Sequence, residues 1–214
     1  GTRIVFYLDR IPRSMRIDRF SHIDTLTYPG RFLCTVHVSM GDEPGMEPSE
    51  VMETIVADRD SLDGMAVTAS GCDVLTIPSV HRLIREIRPK GLSLSLVTPG
   101  SSPDALDDLI GAGYVNHVIL QVTGPLDRDQ ERCIEIVRDH GCPYNLDIMM
   151  APGRIDEDSL RPMATLYNDC ARFVMRTYDP GKHGGILGNE KFKDKDAASL
   201  ARSVKGLVRN ATFL

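Results

Sequence analysis

The sequence predicts an α/β chain built on a parallel sheet, and three observations carry that prediction. Six short runs of apolar and β-branched residues each lead into a stretch with helical spacing. One of them contains Val118-Ile-Leu120, apolar at consecutive positions, as a strand covered on both faces requires. Gly and Pro close the runs, as in Thr98-Pro-Gly100 and Ala151-Pro-Gly153, where the chain must turn. An open doubly wound sheet and a partial barrel both satisfy this order.

The elements follow in sequence. Residues 3–8 read as a preliminary strand, and an Arg-rich connection leads to an extended piece at 20–23. Tyr28-Pro29-Gly30 turns the chain into a strand at 31–40, where Leu33, Thr35, Val36 and Val38 favour extension. Gly41-Asp-Glu-Pro-Gly45 breaks it, and a helix is expected over 49–59. Ser49 is its predicted N-cap, with Glu50 and Glu53 at the positive end of the helix dipole.

A second strand is expected at 63–68 and a helix at 78–88, opened by Pro78 and stopped by Pro89. The third pair is 92–97 with 103–110, and the fourth is 114–122 with 127–139. Residues 144–150 and 156–170 make the fifth pair, and a sixth strand at 172–178 precedes a last helix at 194–209. The whole reads as one domain over 1–214: an extension at 1–30, a core at 31–180, and a Gly/Lys-rich loop with the last helix at 181–214.

Composition narrows the classes of function. Hydrophobic residues make up 42% and charged residues 26%, an ordinary globular balance, and no apolar run is long enough to span a bilayer. No signal-peptide pattern opens the sequence. The five cysteines are odd in number, show no CxxC spacing, and suit a reducing compartment as small buried apolar residues, so a cytoplasmic location is expected.

Net charge is −5, unevenly spread: residues 1–31 and 181–214 together sum to +7 and the middle to −12. Such a split can form a basic rim for an anionic ligand or an acidic partner, or be no more than solvated surface charge. No RNA-reading motif is present and aromatic residues are sparse, so neither nucleic acid nor membrane is an expected partner.

A family resemblance then enters through a set of short pieces in order. They are Thr25-Leu-Thr-Tyr-Pro-Gly30, Asp63-Gly-Met-Ala-Val-Thr68, Leu94-Ser-Leu-Val-Thr-Pro-Gly100, Gly124-Pro-Leu-Asp127, the segment 147–153, and Tyr178-Asp-Pro180. Together they resemble the radical SAM superfamily, specifically the small activating enzymes of anaerobic ribonucleotide reductase and pyruvate formate-lyase. The resemblance covers about 20–180 and implies a partial (β/α)6 barrel, TIM-barrel-like in its active end. It also implies a setting in anaerobic metabolism.

The functional positions are where the resemblance fails. Family members hold a [4Fe–4S] cluster, and through it S-adenosylmethionine, on three thiolates in a CxxxCxxC loop after the first barrel strand. This chain has Ser39-Met-Gly41-Asp-Glu-Pro-Gly45 there, with no cysteine. Where the family's Gly-Gly-Glu run would hold the SAM amino group stands Ala69-Ser-Gly-Cys-Asp73. An Asp-x-Lys becomes Gln121-Val-Thr123, and an expected Arg becomes Asp147. No cofactor is therefore expected unless a cluster loop lies outside this sequence.

If the barrel holds, chemistry sits at the carboxyl ends of its strands. The ligand-binding candidates there are Cys72, Asp73, Thr98, Gln121, Thr123, Asp147, Arg176 and Tyr178, with Met40 and Met149 beside them. Asp147 and Arg176 fall on adjacent predicted strands and can pair, as a structural ion pair or as a ligand clamp. Cys72 is either a nucleophile or a buried inert thiol.

The six histidines are scattered without metal-ligand spacing, and no metal site is expected. Residues 179–188, rich in glycine, either cradle a phosphate or simply connect to the last helix. Three functions stay open: a non-catalytic binding or regulatory pseudoenzyme, whose partner is a glycyl-radical-type enzyme or an activase; a cluster-free small-molecule enzyme; and an activase whose cluster loop is missing from this sequence.

Overall fold

The computed structural model describes residues 15–25, 27–28, 30–40, 45–87 and 91–214, and the expected strand at 3–8 lies outside them. The chain forms two compact units, residues 1–117 and 118–214.

In the first unit, β1 (Met15–Asp24) runs antiparallel to β2 (Leu33–Met40), with Phe20 opposite Val36 and Ile17 opposite Val38. β2, β3 (Gly64–Ala69) and β4 (Leu94–Thr98) are parallel neighbours in that order. The crossovers carry α1 (Pro48–Asp58), α2 (Pro78–Ile87) and α3 (Pro103–Gly111). β1 is far longer than the extended piece expected at 20–23, and it adds an antiparallel edge to what reads as an all-parallel pattern. Its alternation is masked by Arg16, Asp18, Arg19 and His22, because an edge strand needs burial only at positions such as Met15 and Ile17.

α1 starts one residue earlier than expected. Glu47 is its N-cap and Pro48 its first residue, so Ser49 is not the cap. Proline is suited to that position, because the first helical N–H has no intrahelical acceptor to lose. Gly64 opens β3 for a steric reason: a Cβ there would lie 2.6 Å from the Ser93 carbonyl oxygen.

In the second unit β5 (His117–Val122, its first residue in the first unit), β6 (Tyr144–Met150), β7 (Arg172–Thr177) and β8 (Ala211–Phe213) are parallel neighbours in chain order. α4 (Arg128–Asp139) follows β5 and α5 (Glu157–Leu166) follows β6. The short α6 (Pro180–His183) and then α7 (Asp194–Ser203) follow β7. Reciprocal capping boxes, Asp127 with Gln130 and Asp156 with Ser159, fix where α4 and α5 begin.

α7 is shorter than the 194–209 expected. Gly206, at φ 89°, follows its end in a backbone region that resists helix continuation, and the chain then forms the unexpected β8. α5 likewise stops at Leu166 rather than 170, with Arg138 donating to the Leu166 carbonyl oxygen at 2.7 Å.

Strand alternation sorts side chains onto two faces. On β2 to β4 one row holds Cys34, Met65 and Leu94, with Val36, Val67 and Leu96 in the row above, all essentially buried. On β6 to β8 Leu146 and Phe173, then Ile148 and Met175, lie on the face that Ala211 and Phe213 extend. Fully burying side chains of this size contributes roughly 1.5–3 kcal/mol each. The opposite face of the second unit carries Gln121, Asn145, Asp147, Met149, Val174 and Arg176. Among the described residues, no helix is long and apolar enough to cross a membrane.

Candidate functional site

In the first unit, the strand ends are organised by Asp73, in the loop after β3 and 6% exposed. Its Oδ1 accepts from the Leu75 amide at 3.0 Å and from the Thr98 hydroxyl at 2.7 Å. Its Oδ2 accepts from both the amide and the hydroxyl of Ser101, each at 2.8 Å. Thr98, fully buried, in turn accepts from the Gly100 amide at 2.9 Å. A carboxylate offers about four lone-pair directions, and all four are used by the protein itself. Asp73 and Thr98 therefore clamp the β3 loop to the end of β4, and the Asp73 carboxylate has no acceptor direction left over for a ligand ammonium.

The second unit holds the other cluster. Gln121 and Asp147 are register partners on β5 and β6, and Arg176 is one residue pair further along β7. Arg176 Nε donates to Asp147 Oδ1 at 2.7 Å, with side-chain exposures of 22% and 16%. Burial pushes the Asp147 carboxyl up, and the Arg176 charge and hydrogen bond pull it down. Burial dominates, so this ion pair sits where a charge is costly to keep. Gln121 and Thr123 are exposed at the same end, and the Gln121 carbonyl accepts from the Gln130 side chain at 3.3 Å.

Tyr178 is a different kind of residue from the one expected. It is completely buried, its hydroxyl donates to the Gly188 carbonyl at 3.0 Å and accepts from the Leu187 amide at 3.1 Å, and its ring stacks on His183. It anchors the glycine-rich segment 179–188, which folds back as α6 and is not a slack connection. Cys72 is not the buried thiol of the second expectation: it is exposed, with the Ser70 carbonyl 3.8 Å from its sulfur. No base lies against it in these contacts. Met40 is 49% exposed, whereas Met150 is fully buried.

The remaining four cysteines are buried, as their type suggests. Burial pushes Cys34 and Cys170 up to about 12 and Cys142 up to about 11, which holds them as thiols. Cys34 lies at the start of β2, where its sulfur is 3.8 Å from the Gly64 carbonyl. Among the described residues, no group of three or more His, Cys, Asp or Glu side chains is placed to hold a metal ion.

Two residues escaped the sequence reading. His37 on β2 receives Arg19 of β1 at 3.1 Å; burial first, and then the Arg19 charge, push the imidazole down, so its neutral form is favoured. Asn145 on β6 is 1% exposed, and among the described residues neither its amide nitrogen nor its amide oxygen meets a partner. Its only sequence signal is a polar residue inside an otherwise apolar strand.

An unsatisfied buried amide costs about 1–3 kcal/mol, and leucine nearly matches its volume. Asn145→Leu is therefore expected to leave stability unchanged or raise it by about 1 kcal/mol in urea titrations. A clear loss would show that the amide has a polar partner in solution.

With this geometry in place, known structures supply a comparison. No family model matches the chain, and no curated protein matches it. Among solved structures, SuiB of Streptococcus suis bound to S-adenosylmethionine is 12% identical with a TM-score of 0.59, over 81% of this chain and 45% of its own. SuiB bound to its precursor peptide SuiA matches with a TM-score of 0.58 and 12% identity, over 81% of this chain and 43% of its own. An archaeal TYW1 matches at 0.50 and 10% identity, over 81% of this chain and 72% of its own. The chain thus spans under half the length of SuiB. These neighbours are radical SAM enzymes, and the likeness is one of fold: the chain is an α/β protein of the partial-barrel class that those enzymes share.

Proposed function

We propose that this chain acts by binding, as a radical SAM-fold pseudoenzyme, and does not carry out reductive cleavage of S-adenosylmethionine. The carrying observation is its thiol inventory. The loop that follows β2 contains no cysteine, and Cys34, the one cysteine of β2, is buried six residues before the strand ends with its pKa pushed up to about 12. A cubane cluster needs three convergent thiolates or their equivalents, and these residues do not fit that requirement. The segment 69–73, where the resemblance implies a glutamate for the SAM amino group, supports the same reading: it holds no glutamate, and its one carboxylate, Asp73, already serves four donors.

The partner in this proposal is a protein of the glycyl-radical-enzyme or activase type, met in the cytoplasm of an anaerobically growing cell. SuiB has been captured with a peptide, which makes polypeptide binding a reasonable use of this fold. A cluster-free small-molecule enzyme is the second reading, favoured by the unpartnered Asn145 amide on the face that holds Asp147 and Arg176.

Anaerobic purification followed by cluster reconstitution, iron and sulfide analysis and SAM calorimetry tests the proposal. Substoichiometric iron and no SAM binding are expected. Stoichiometric iron together with SAM binding would restore an activase and overturn the binding reading. SAM binding without iron would favour the small-molecule site.

A further inference from the structure

The helix-covered side of β7 and β8 carries a groove of about 890 Å³ that neither the fold nor the strand-end site uses. Its floor is apolar, formed by Met175, Val208 and Phe213, of which Phe213 is 42% exposed. Arg202, Lys205 and Arg209 line it as well, all three are exposed, and no acidic side chain contributes to the lining. Among the described residues no carboxylate pairs with any of them. The surplus of positive charge that the sequence shows over 181–214 is thus gathered in part around one apolar groove.

Among the described residues, the groove abuts an unpaired strand edge, since β8 is the last strand in the sheet order. The Asn210 carbonyl accepts from the Phe173 amide at 3.1 Å, and the Leu214 amide donates to the Met175 carbonyl at 2.9 Å, with Thr212 paired to Val174 between them. Even-numbered residues of β8 therefore turn their backbone groups toward β7. By alternation, the N–H and C=O groups of Ala211 and Phe213 point to the outer edge, while their side chains line the groove. Backbone donors and acceptors beside an apolar trough are what an extended polypeptide satisfies, with alternate side chains dropping into the trough.

We propose that this edge is a docking site for an acidic, apolar peptide segment of another protein, added as a strand beside β8 with its carboxylates against Arg202, Lys205 and Arg209. Charge selects this occupant over a second copy of the same chain, since two such grooves brought together would oppose three cations to three. The backbone edge selects a polypeptide over an anionic lipid, which has no ladder of hydrogen bonds to offer. The proposal concerns a face distinct from that of Asp147 and Arg176, and it stands or falls independently of cluster and SAM binding.

The test uses fluorescence anisotropy on the 214-residue protein with a labelled peptide of about nine residues that alternates glutamate with valine and leucine. Saturable binding is expected, weakened about tenfold or more both by Lys205→Glu with Arg209→Glu and by raising salt. Ala211→Pro removes one outward N–H from an edge strand, a position where proline is tolerated, and is expected to weaken binding about tenfold with the circular dichroism spectrum unchanged. The double variant Asp147→Leu with Arg176→Met should bind the peptide as the parent does.

An Ala211→Pro variant that folds and binds normally would overturn strand addition. Equal binding of polyglutamate would reduce the groove to a charge patch. Binding of phosphatidylserine vesicles in place of the peptide would make it a lipid surface, and no peptide binding at all would overturn the site.

Discussion

Replacing Arg176 with methionine is expected to cost about 3–5 kcal/mol of stability at neutral pH, and the cost should shrink as the medium is made acidic. The reason lies with its partner. Asp147 is 16% exposed at the side chain, and burial already holds its carboxyl above the usual range; Arg176 is the group pulling it back. Without the guanidinium the folded-state pKa rises further, and at neutral pH the protein must either keep an uncompensated charge or take up a proton.

The sign follows from linkage. A carboxyl raised on folding makes the native state bind more protons than the unfolded one between the two pKa values, so stability falls as pH rises through that window. Arg176→Met widens the window upward. Below the unfolded value of about 3.9 the carboxyl is neutral in both states and only the lost hydrogen bond, about 1 kcal/mol, remains. Urea titrations of parent and variant across about pH 5 to 8 check this, and a difference that stays flat with pH would sink it. The double variant Asp147→Leu with Arg176→Met should recover most of the loss, because removing both charges also removes the desolvation they suffer.

That pair could be foreseen because strand register is simple. Residues 144–150 and 172–178 read as strands from their apolar content, and parallel neighbours place Asp147 and Arg176 one step apart on the same face. The helices with sequence-local caps, α2 behind Pro78 and α4 behind Asp127, were legible for the same reason: their signals lie within one turn of the chain.

What could not be read depends on groups distant in sequence. β1 is held by pairing with β2 and not by its own alternation, and β8 exists because β7 offers it an edge. Tyr178 resembles a strand-end ligand until residues 187 and 188 fold back onto its hydroxyl. Cys72 is small and apolar enough to belong in a core, yet its side chain is exposed while Asp73 and Val74 beside it are buried. The edge and groove beside β8 depend on where α7 stops, at Ser203, and on the left-handed turn at Gly206 that follows.

Asp73 supplies the sharpest separation between a structural and a ligand role. The segment 69–73 lacks the glutamate that the resemblance implies there, and Asp73 could stand in for it only if the backbone shifted; a clamp role and a ligand role for Asp73 predict opposite results. As a clamp, its carboxylate serves four donors: Leu75, Thr98 and Ser101 twice. Hydrogen bonds to a charged acceptor contribute about 1.5–3 kcal/mol each when measured singly, and a shared acceptor makes them non-additive. Asp73→Ala should therefore cost about 3 kcal/mol or more, since the Thr98 hydroxyl and the amides of Leu75 and Ser101 lose their common acceptor.

Asp73→Asn is the discriminating variant. It preserves shape but turns one acceptor oxygen into a donor that must face other donors, so a clamp should still lose about 2 kcal/mol. A ligand carboxylate with spare acceptor capacity would instead tolerate asparagine with stability intact and show its effect only in ligand affinity. Denaturant midpoints of the two variants, measured beside calorimetric titration with SAM, separate the cases. Unchanged stability in Asp73→Asn would return Asp73 to the list of ligand groups and weaken the case that this chain has left SAM chemistry behind.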